Sequence, residues 1–307
     1  MRVFVAGATG YIGSAVVREL LGAGHRVVGL ARSEQAAAAL AEAGAEVHRG
    51  DLDEPGSLRA GAADADGVIF AANKHITETS DPAARARVER AAVEAIGAEL
   101  KGSGRPFVVT SGVIGRAPGR LLTEETTTDP GMLPAPRLAV ESSVLAMAEL
   151  GVRSSSVRLA PTVHGRGDAR GFVAALIAVA RATGVSAYVG DGANRWPSVH
   201  RLDAAVLYRL ALESAPAGAP LHAVAEDGVP FRDIAGAIGR RLGLPAAGLT
   251  AQEAGRHFAG FLAPLVALDS AASSAVTREL LDWRPAHVPL VQDIEEGHYF
   301  NGLAVLP

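Results

Sequence analysis

The sequence predicts an α/β fold with a doubly wound parallel sheet and a smaller C-terminal α/β lobe. Three observations carry this. Strands alternate with helices through the first 160 residues. The strands are continuously apolar, as strands covered on both faces must be. The chain also opens on a strand–turn–helix–strand unit, residues 3–32, whose turn carries Gly7, Gly10 and Gly13.

In order along the chain, Val3 to Ala6 is the first strand, and the glycine turn follows. Gly7 serves the sharp bend. Gly10 leaves room for a pyrophosphate, and Gly13 lets the helix lie close on the strand. A helix from about Ile12 to Leu21 aims its free N–H groups at the anion. Arg26 to Ala31 is the second strand. Glu34 to Ala43 reads as an alanine-rich helix, ended by Gly44. Glu46 to Arg49 is the third strand, followed by GDLDEP and a short helix from Ser57 to Ala62. Gly67 to Ala71 is the fourth strand. A long helix spans about Pro82 to Lys101, with Val88, Ala92, Ile96 and Leu100 on one face. Pro106 to Thr110 is the fifth strand. Residues 115–136, rich in Pro and Thr, read as a loop. A helix from Pro136 to Leu150 and a sixth strand from Val152 to Leu159 complete the unit.

Past residue 160 the pattern changes. Helices are expected over Phe172 to Thr183, Asp203 to Ser214 and Phe231 to Leu242. Short strands are expected at Ala187 to Val189 and Leu221 to Ala225, with GDGANRWP as a turn. Residues 1–160 are the expected dinucleotide-binding domain, with about 196–215 returning to it. Residues 161–307 are mostly the substrate-binding lobe. Ligands of such sheets sit at the carboxyl ends of the strands.

Composition narrows the function classes. Half of the 307 residues are hydrophobic (49%), and 20% are charged, enough apolar material for a large core. The net charge of -4 and the lack of any Lys/Arg run argue against nucleic acid. There is no cysteine, which excludes disulfides, thiolate nucleophiles and Cys-ligated zinc. The first strand begins almost at Met1 with no signal peptide ahead of it, so a cytoplasmic protein is expected. The longest apolar runs, 172–180 and 258–268, fall short of the about 20 residues that span a bilayer. Nine histidines occur, but none is paired in an HExxH pattern, and no metal site is expected. A GxSxG elbow is also absent.

The motifs resemble those of the extended and atypical short-chain dehydrogenase/reductases, near the NAD-dependent epimerase/dehydratase-like members. The Gly7-x-x-Gly10-x-x-Gly13 spacing is theirs, and the resemblance covers nearly the whole chain. It implies a Rossmann-type fold and a nicotinamide cofactor held by Gly7, Thr9, Gly10, Tyr11, Ile12 and Gly13. GDLDEP resembles the adenine-contacting turn, with Asp51 and Leu52. VIFAAN (68–73) resembles the strand whose end, Ala71 and Ala72, passes the cofactor. FVVTSG (107–112) resembles the strand carrying the catalytic Ser/Thr, with Thr110 and Ser111 both possible and Ser111 preferred. RLAPTVHG (158–165) resembles RPxxVYG, which implies that Pro161 and Val163 wall the nicotinamide. VHRLDAA (199–205) resembles the second-lobe VHVDDVA.

One departure matters. The family's proton donor is a Tyr four residues before a Lys. Taking Glu141 as the glutamate that follows this motif, the Tyr position falls on Leu133 and the Lys position on Arg137. None of the four tyrosines precedes a Lys at that spacing. Arg137 could bind the ribose or fix a charge, but it cannot give up a proton. Water, His75 and His164 remain as proton sources. Arg32 and Ser33 follow the second strand, where NAD enzymes carry an acid for the ribose hydroxyls; Arg there favours the 2′-phosphate of NADP(H) over NAD(H).

These readings point to an NADP-dependent oxidoreductase acting on a small apolar or aromatic molecule. Phe172, Tyr188, Trp196, Phe258 and Phe261 could line its pocket. A redox-silent NADP-binding regulator and a non-redox isomerase or lyase are the alternatives. A homodimer is expected through the helices at 82–101 and 136–150.

Overall fold

The computed structural model describes residues 1–73, 81–126, 135–258, 260 and 262–300. Its first half alternates as the apolar runs predict: β1 (Arg2–Ala6), α1 (Gly13–Gly22), β2 (Arg26–Ala31), α2 (Glu34–Glu42), β3 (Glu46–Arg49), α3 (Pro55–Ala63) and β4 (Gly67–Phe70). Then come α4 (Pro82–Leu100), β5 (Pro106–Gly112), α5 (Ala135–Ala146) with a 3-10 turn over Met147–Leu150, and β6 (Arg153–Leu159). The second half holds β7 (Thr162–His164), α6 (Phe172–Thr183), β8 (Ser186–Val189), β9 (Arg195–His200), α7 (Arg201–Ser214), β10 (Ala219–Ala223) and β11 (Glu226–Pro230). It ends with α8 (Phe231–Leu242), β12 (Ala246–Leu249), α9 (Ala251–Phe258), α10 (Ala275–Leu281) and α11 (Leu290–Glu295).

Seven parallel strands form the central sheet in the order β10-β6-β5-β4-β1-β2-β3. The order reverses between β1 and β4, so the helices that follow these two strands lie on opposite faces and leave a crevice. On one face Val3, Val5, Val108 and Val157 pack against α1 and α7, through Leu20, Leu207 and Leu212. On the other, Phe4, Phe70, Phe107 and Val109 pack against α3, α4 and α5, through Leu58, Ile96 and Val144. This alternation is the two-residue period of a strand buried on both sides.

A separate core lies in the C-terminal lobe, where Trp196, Phe231, Ile234, Leu290 and Tyr299 are all buried. Two small sheets serve it, β11-β9-β7 and β12-β8. Two expectations change here. The strand near 221–225 is β10, and it joins the central sheet beside β6 rather than the lobe. The GDGANRWP turn ends early, because Arg195 to His200 form β9 between β7 and β11. Among the described residues, no helix is long and apolar enough to cross a membrane.

Candidate functional site

The crevice at the β1/β4 switch point is a cleft of about 540 Å³. Its floor is the glycine turn. Gly7 has φ +83, and a Cβ there would lie 2.7 Å from the backbone of Ala71 and Ala72. A Cβ on Gly13 would lie 1.9 Å from the carbonyl oxygen of Gly7, so α1 can start here only with glycine. At Gly10 the sole atom within 4 Å of an added Cβ is the Gly7 oxygen, at 3.2 Å; its open side faces the cleft, which Thr9 and Gly10 line. A flat, side-chain-free floor under a helix N-terminus fits a pyrophosphate.

Arg32, Ser33, Asp51, Leu52, Ala71 and Ala72 line the same cleft. The Ser33 side chain also caps α2, accepting from Ala36 N at 3.2 Å. Glu34, the carboxylate nearest Arg32 in sequence, turns outward to pair with Arg49 at 2.5 Å and does not line the cleft. Arg32 is therefore the charged side chain that β2 delivers to the cleft.

Tyr11 and Ile12 are half-buried behind the turn. The Tyr11 hydroxyl donates to Gly165 O at 3.0 Å, and Arg201 stacks over its ring at 4.5 Å. Arg201 also donates to Arg166 O at 2.7 Å and to Ser14 Oγ at 3.2 Å. The glycine turn is thus tied to the 165–171 loop, whose Arg170 reaches the cleft. Burial, then the Asp168 carboxylate, push the Tyr11 hydroxyl far above its usual pKa, so it stays protonated as a donor.

At the end of β5 the two hydroxyl candidates part. Thr110 donates to Phe70 O at 3.0 Å and shares a 2.6 Å bond with the Tyr208 hydroxyl on α7. Ser111 faces the other side, toward α5, where it accepts from Arg116 Nη2 at 2.8 Å. Arg116 is 3% exposed; it donates to Gly112 O at 2.5 Å and pairs with Glu141 at 2.6 Å. Glu141 also accepts from Ser156 at 2.7 Å and from Arg158 at 2.8 Å. Burial alone would raise the Glu141 pKa, but Arg158 and Arg116 outweigh it and hold the carboxyl below its ordinary value. Because Arg116 occupies a lone pair of Ser111, the hydroxyl hydrogen is left to point elsewhere, and no described residue accepts it.

Other expected residues lie away from the cleft. His164 is buried, with Nδ1 bonded to Asp293 at 2.9 Å and its ring edge-on to His200. Pro161 and Val163 are half-buried, do not line the cleft, and Val163 packs on the core beside α1 and α7. The expected aromatic pocket is lobe core instead. Phe172 meets Trp196 edge-to-face at 5.1 Å, Trp196 meets Phe231 at 5.0 Å, Phe258 is buried, and Tyr188 packs against the same cluster. Interdigitated aromatic edges fill this space, so these side chains give no support for an aromatic substrate. Arg137 is in the first turn of α5, with Nε 3.8 Å from Glu89. Lys74, His75, Leu133 and Phe261 lie outside the described residues.

His200, Asp203 and His287 bring three potential ligand atoms within 4.8 Å of one another. Asp203, however, accepts from Ala286 N, His287 N and His287 Nδ1 at 2.7 to 3.1 Å. The two imidazoles stack at 4.6 Å and 11°, so their lone pairs lie in nearly parallel planes. The trio reads as a hydrogen-bonded clasp between α7 and the C-terminal segment.

Sequence reasoning missed Gln35 and Arg170 in the cleft wall, Arg116, which donates to Ser111, and Arg201, which stacks on Tyr11. Arg201 had a signal, since it stands where the resembled motif has a valine. Arg170 sits in an irregular loop that no periodicity marks.

A seven-stranded parallel sheet whose switch point carries a glycine cradle defines a Rossmann-type dinucleotide-binding architecture. Residues 3–224 match the NAD dependent epimerase/dehydratase family, and the chain belongs to that family. An uncharacterized protein of Schizosaccharomyces pombe is 46% identical over 301 residues, 98% of this chain and 100% of that protein. One from Saccharomyces cerevisiae is 41% identical over 303 residues, again 98% and 100%. The UDP-glucose 4-epimerase of Thermus thermophilus, solved in complex with NAD, shares the fold with a TM-score of 0.76. It is 20% identical, over 98% of this chain and 99% of that one.

Proposed function

We propose that this protein is an NADP-dependent oxidoreductase of the atypical short-chain dehydrogenase/reductase kind. Its substrate is a small organic carbonyl, alcohol or activated double bond. The observation that carries the reading is the cleft itself: a glycine floor beneath a helix N-terminus, with Arg32 at the β2 end and Glu34 turned away to Arg49. Family membership supports the nicotinamide dinucleotide.

Gly7, Thr9, Gly10 and Gly13 hold the pyrophosphate, with Tyr11 and Ile12 buttressing the turn. Arg32 and Ser33 take the 2′-phosphate, and Asp51 and Leu52 border the adenine. Ala71 and Ala72 flank the far half, and Thr110 fixes the β4–β5 junction behind it. When bound, the nicotinamide supplies or accepts the hydride. Ser111, held by Arg116, donates its hydrogen bond to the substrate oxygen. Arg137 supplies positive charge at the position the family gives to lysine. The protein acts as a homodimer through α4 and α5, in the cytoplasm.

The test is NADPH consumption against a panel of aldehydes, ketones, imines and enones. Turnover above background is expected. The absence of YxxxK favours one rival, a redox-silent NADP-binding regulator. Tight NADPH binding with no turnover across the panel would replace the oxidoreductase reading with that one.

A further inference from the structure

The missing tyrosine removes the family's proton donor, and the packing of α4 on α5 supplies a candidate in its place. Glu89 lies on the inner face of α4, in line with Ala92, Val93, Ile96 and Leu100, and is only 6% exposed. A carboxylate there interrupts a stripe that is otherwise apolar, and burial of an ionised group is costly unless it is paired. Its height along the sheet follows from the chain path. α4 ends at Leu100, just before β5 begins at Pro106, so it runs antiparallel to the strands. At about 1.5 Å per residue, Glu89 stands roughly 16 Å above Leu100, near the carboxyl ends of β4 and β5. Phe70 and Ala72 at the end of β4 share a core with Ala92 and Val93, one turn below Glu89. Ala72 also lines the cleft.

α5 runs the same way, and Arg137 is in its first turn. Its Nε lies 3.8 Å from Glu89 Oε1, is itself buried, and has no hydrogen-bond partner. The pair is thus in ionic contact but is not closed by a hydrogen bond. Among the described residues, Arg137 is the charge that faces Glu89. Glu141, further along α5, is held by Arg116 and Arg158. From α3, Arg59 approaches Glu99 near the far end of α4. On α4 itself, Arg87 approaches Asp81. Burial pushes the Glu89 carboxyl above its ordinary pKa, and Arg137 only partly opposes this.

We propose that Glu89 is the proton source of this site and that Arg137 holds the carboxylate left behind. The proposal rests on the oxidoreductase reading. As the hydride pair forms the new C–H bond, the C=O π pair takes the Glu89 proton to form O–H. Glu89 becomes a carboxylate beside Arg137 and regains a proton from water after product leaves. In this direction turnover is present below the raised pKa of Glu89 and is lost as pH rises through it.

Two readouts test this on the full-length protein. In the cofactor-free protein, infrared difference spectra between wild type and Glu89→Gln should show a protonated carboxylic acid that titrates above the ordinary glutamate range. Arg137→Met should move that titration to higher pH. With NADPH and a carbonyl from the panel, Glu89→Gln should lower kcat at least about 100-fold, the scale of general acid catalysis, and remove the high-pH limb. NADPH affinity should stay within about twofold, since Glu89 does not line the cofactor cleft. A purely structural ion pair predicts equal stability loss in both variants and an unchanged pH profile. Wild-type turnover and pH dependence in Glu89→Gln, or an infrared signal showing glutamate ionised throughout, would overturn the proposal. A wild-type enzyme silent toward the whole panel would overturn the oxidoreductase reading; whether Glu89 carries the proton would still be decided by the infrared titration.

Discussion

Replacing Glu141 with glutamine should cost this protein more stability than its single-atom change suggests. Glu141 is 4% exposed and neutralises two guanidiniums that are themselves buried, Arg116 at 3% and Arg158 at 7%. It accepts from Arg116 at 2.6 Å, Arg158 at 2.8 Å and Ser156 at 2.7 Å. Glutamine preserves the volume, but removes the charge and offers an amide N–H₂ to groups that already donate. Breaking a buried ion pair by removing one partner costs about 3–5 kcal/mol, because the surviving charge stays buried. The sign with pH follows from the depressed pKa of Glu141. Its contribution is present in full above the unfolded-state value of 4.5 and is lost as pH falls through the folded-state value. Urea unfolding of wild type and Glu141→Gln at neutral pH and in acid measures this. The expected loss is about 3–5 kcal/mol at pH 7, shrinking in acid. With Arg116→Met added, the double variant should lose less than the sum of the singles, as partners in one network do. A loss under about 1 kcal/mol, the size of an exposed pair, or a difference independent of pH, would refute the reasoning.

Further outcomes follow from the same geometry. Gly13→Ala places a Cβ 1.9 Å from the Gly7 oxygen, so the turn must shift; dinucleotide binding should fall below detection in a fluorescence titration that the wild type saturates. Asp293→Asn should destabilise the lobe near neutral pH, measured by thermal unfolding. Burial raises the Asp293 pKa, but the bonds from His164 and His298 win and hold it below its ordinary value, so the difference from wild type should narrow as pH falls.

Much of the fold was legible because its signals are local. β2, α6 and α8 lie where apolar runs bounded by glycine or charge place them. β9 was not, because Arg195 and Pro197 break the apolar run; its pairing comes from β7 and β11, segments far apart in sequence. β11, written EDGVP, carries no apolar period and is held by backbone pairing with a register shift between Glu226 and Val229. β12, AAGL, is a strand only because β8 lies beside it. At the site, the glycine cradle could be read from spacing alone, since backbone sterics fix which residues it admits. Arg116 could not. Its meaning depends on Glu141, 25 residues later on another element, and on which face of β5 carries Ser111. The aromatic residues misled for the same reason: composition counted them, and only packing shows that they fill the lobe core.

The central claim is that the cleft binds NADP through Arg32. Fluorescence titration of wild type and Arg32→Glu with NADPH and NADH tests it most directly. A charged hydrogen bond to the 2′-phosphate is worth about 1.5–3 kcal/mol, so wild type should prefer NADPH by roughly tenfold or more. Arg32→Glu should lose or invert that preference while still binding NADH. Equal affinity for the two cofactors in wild type, or a preference that Arg32→Glu leaves unchanged, would contradict the account.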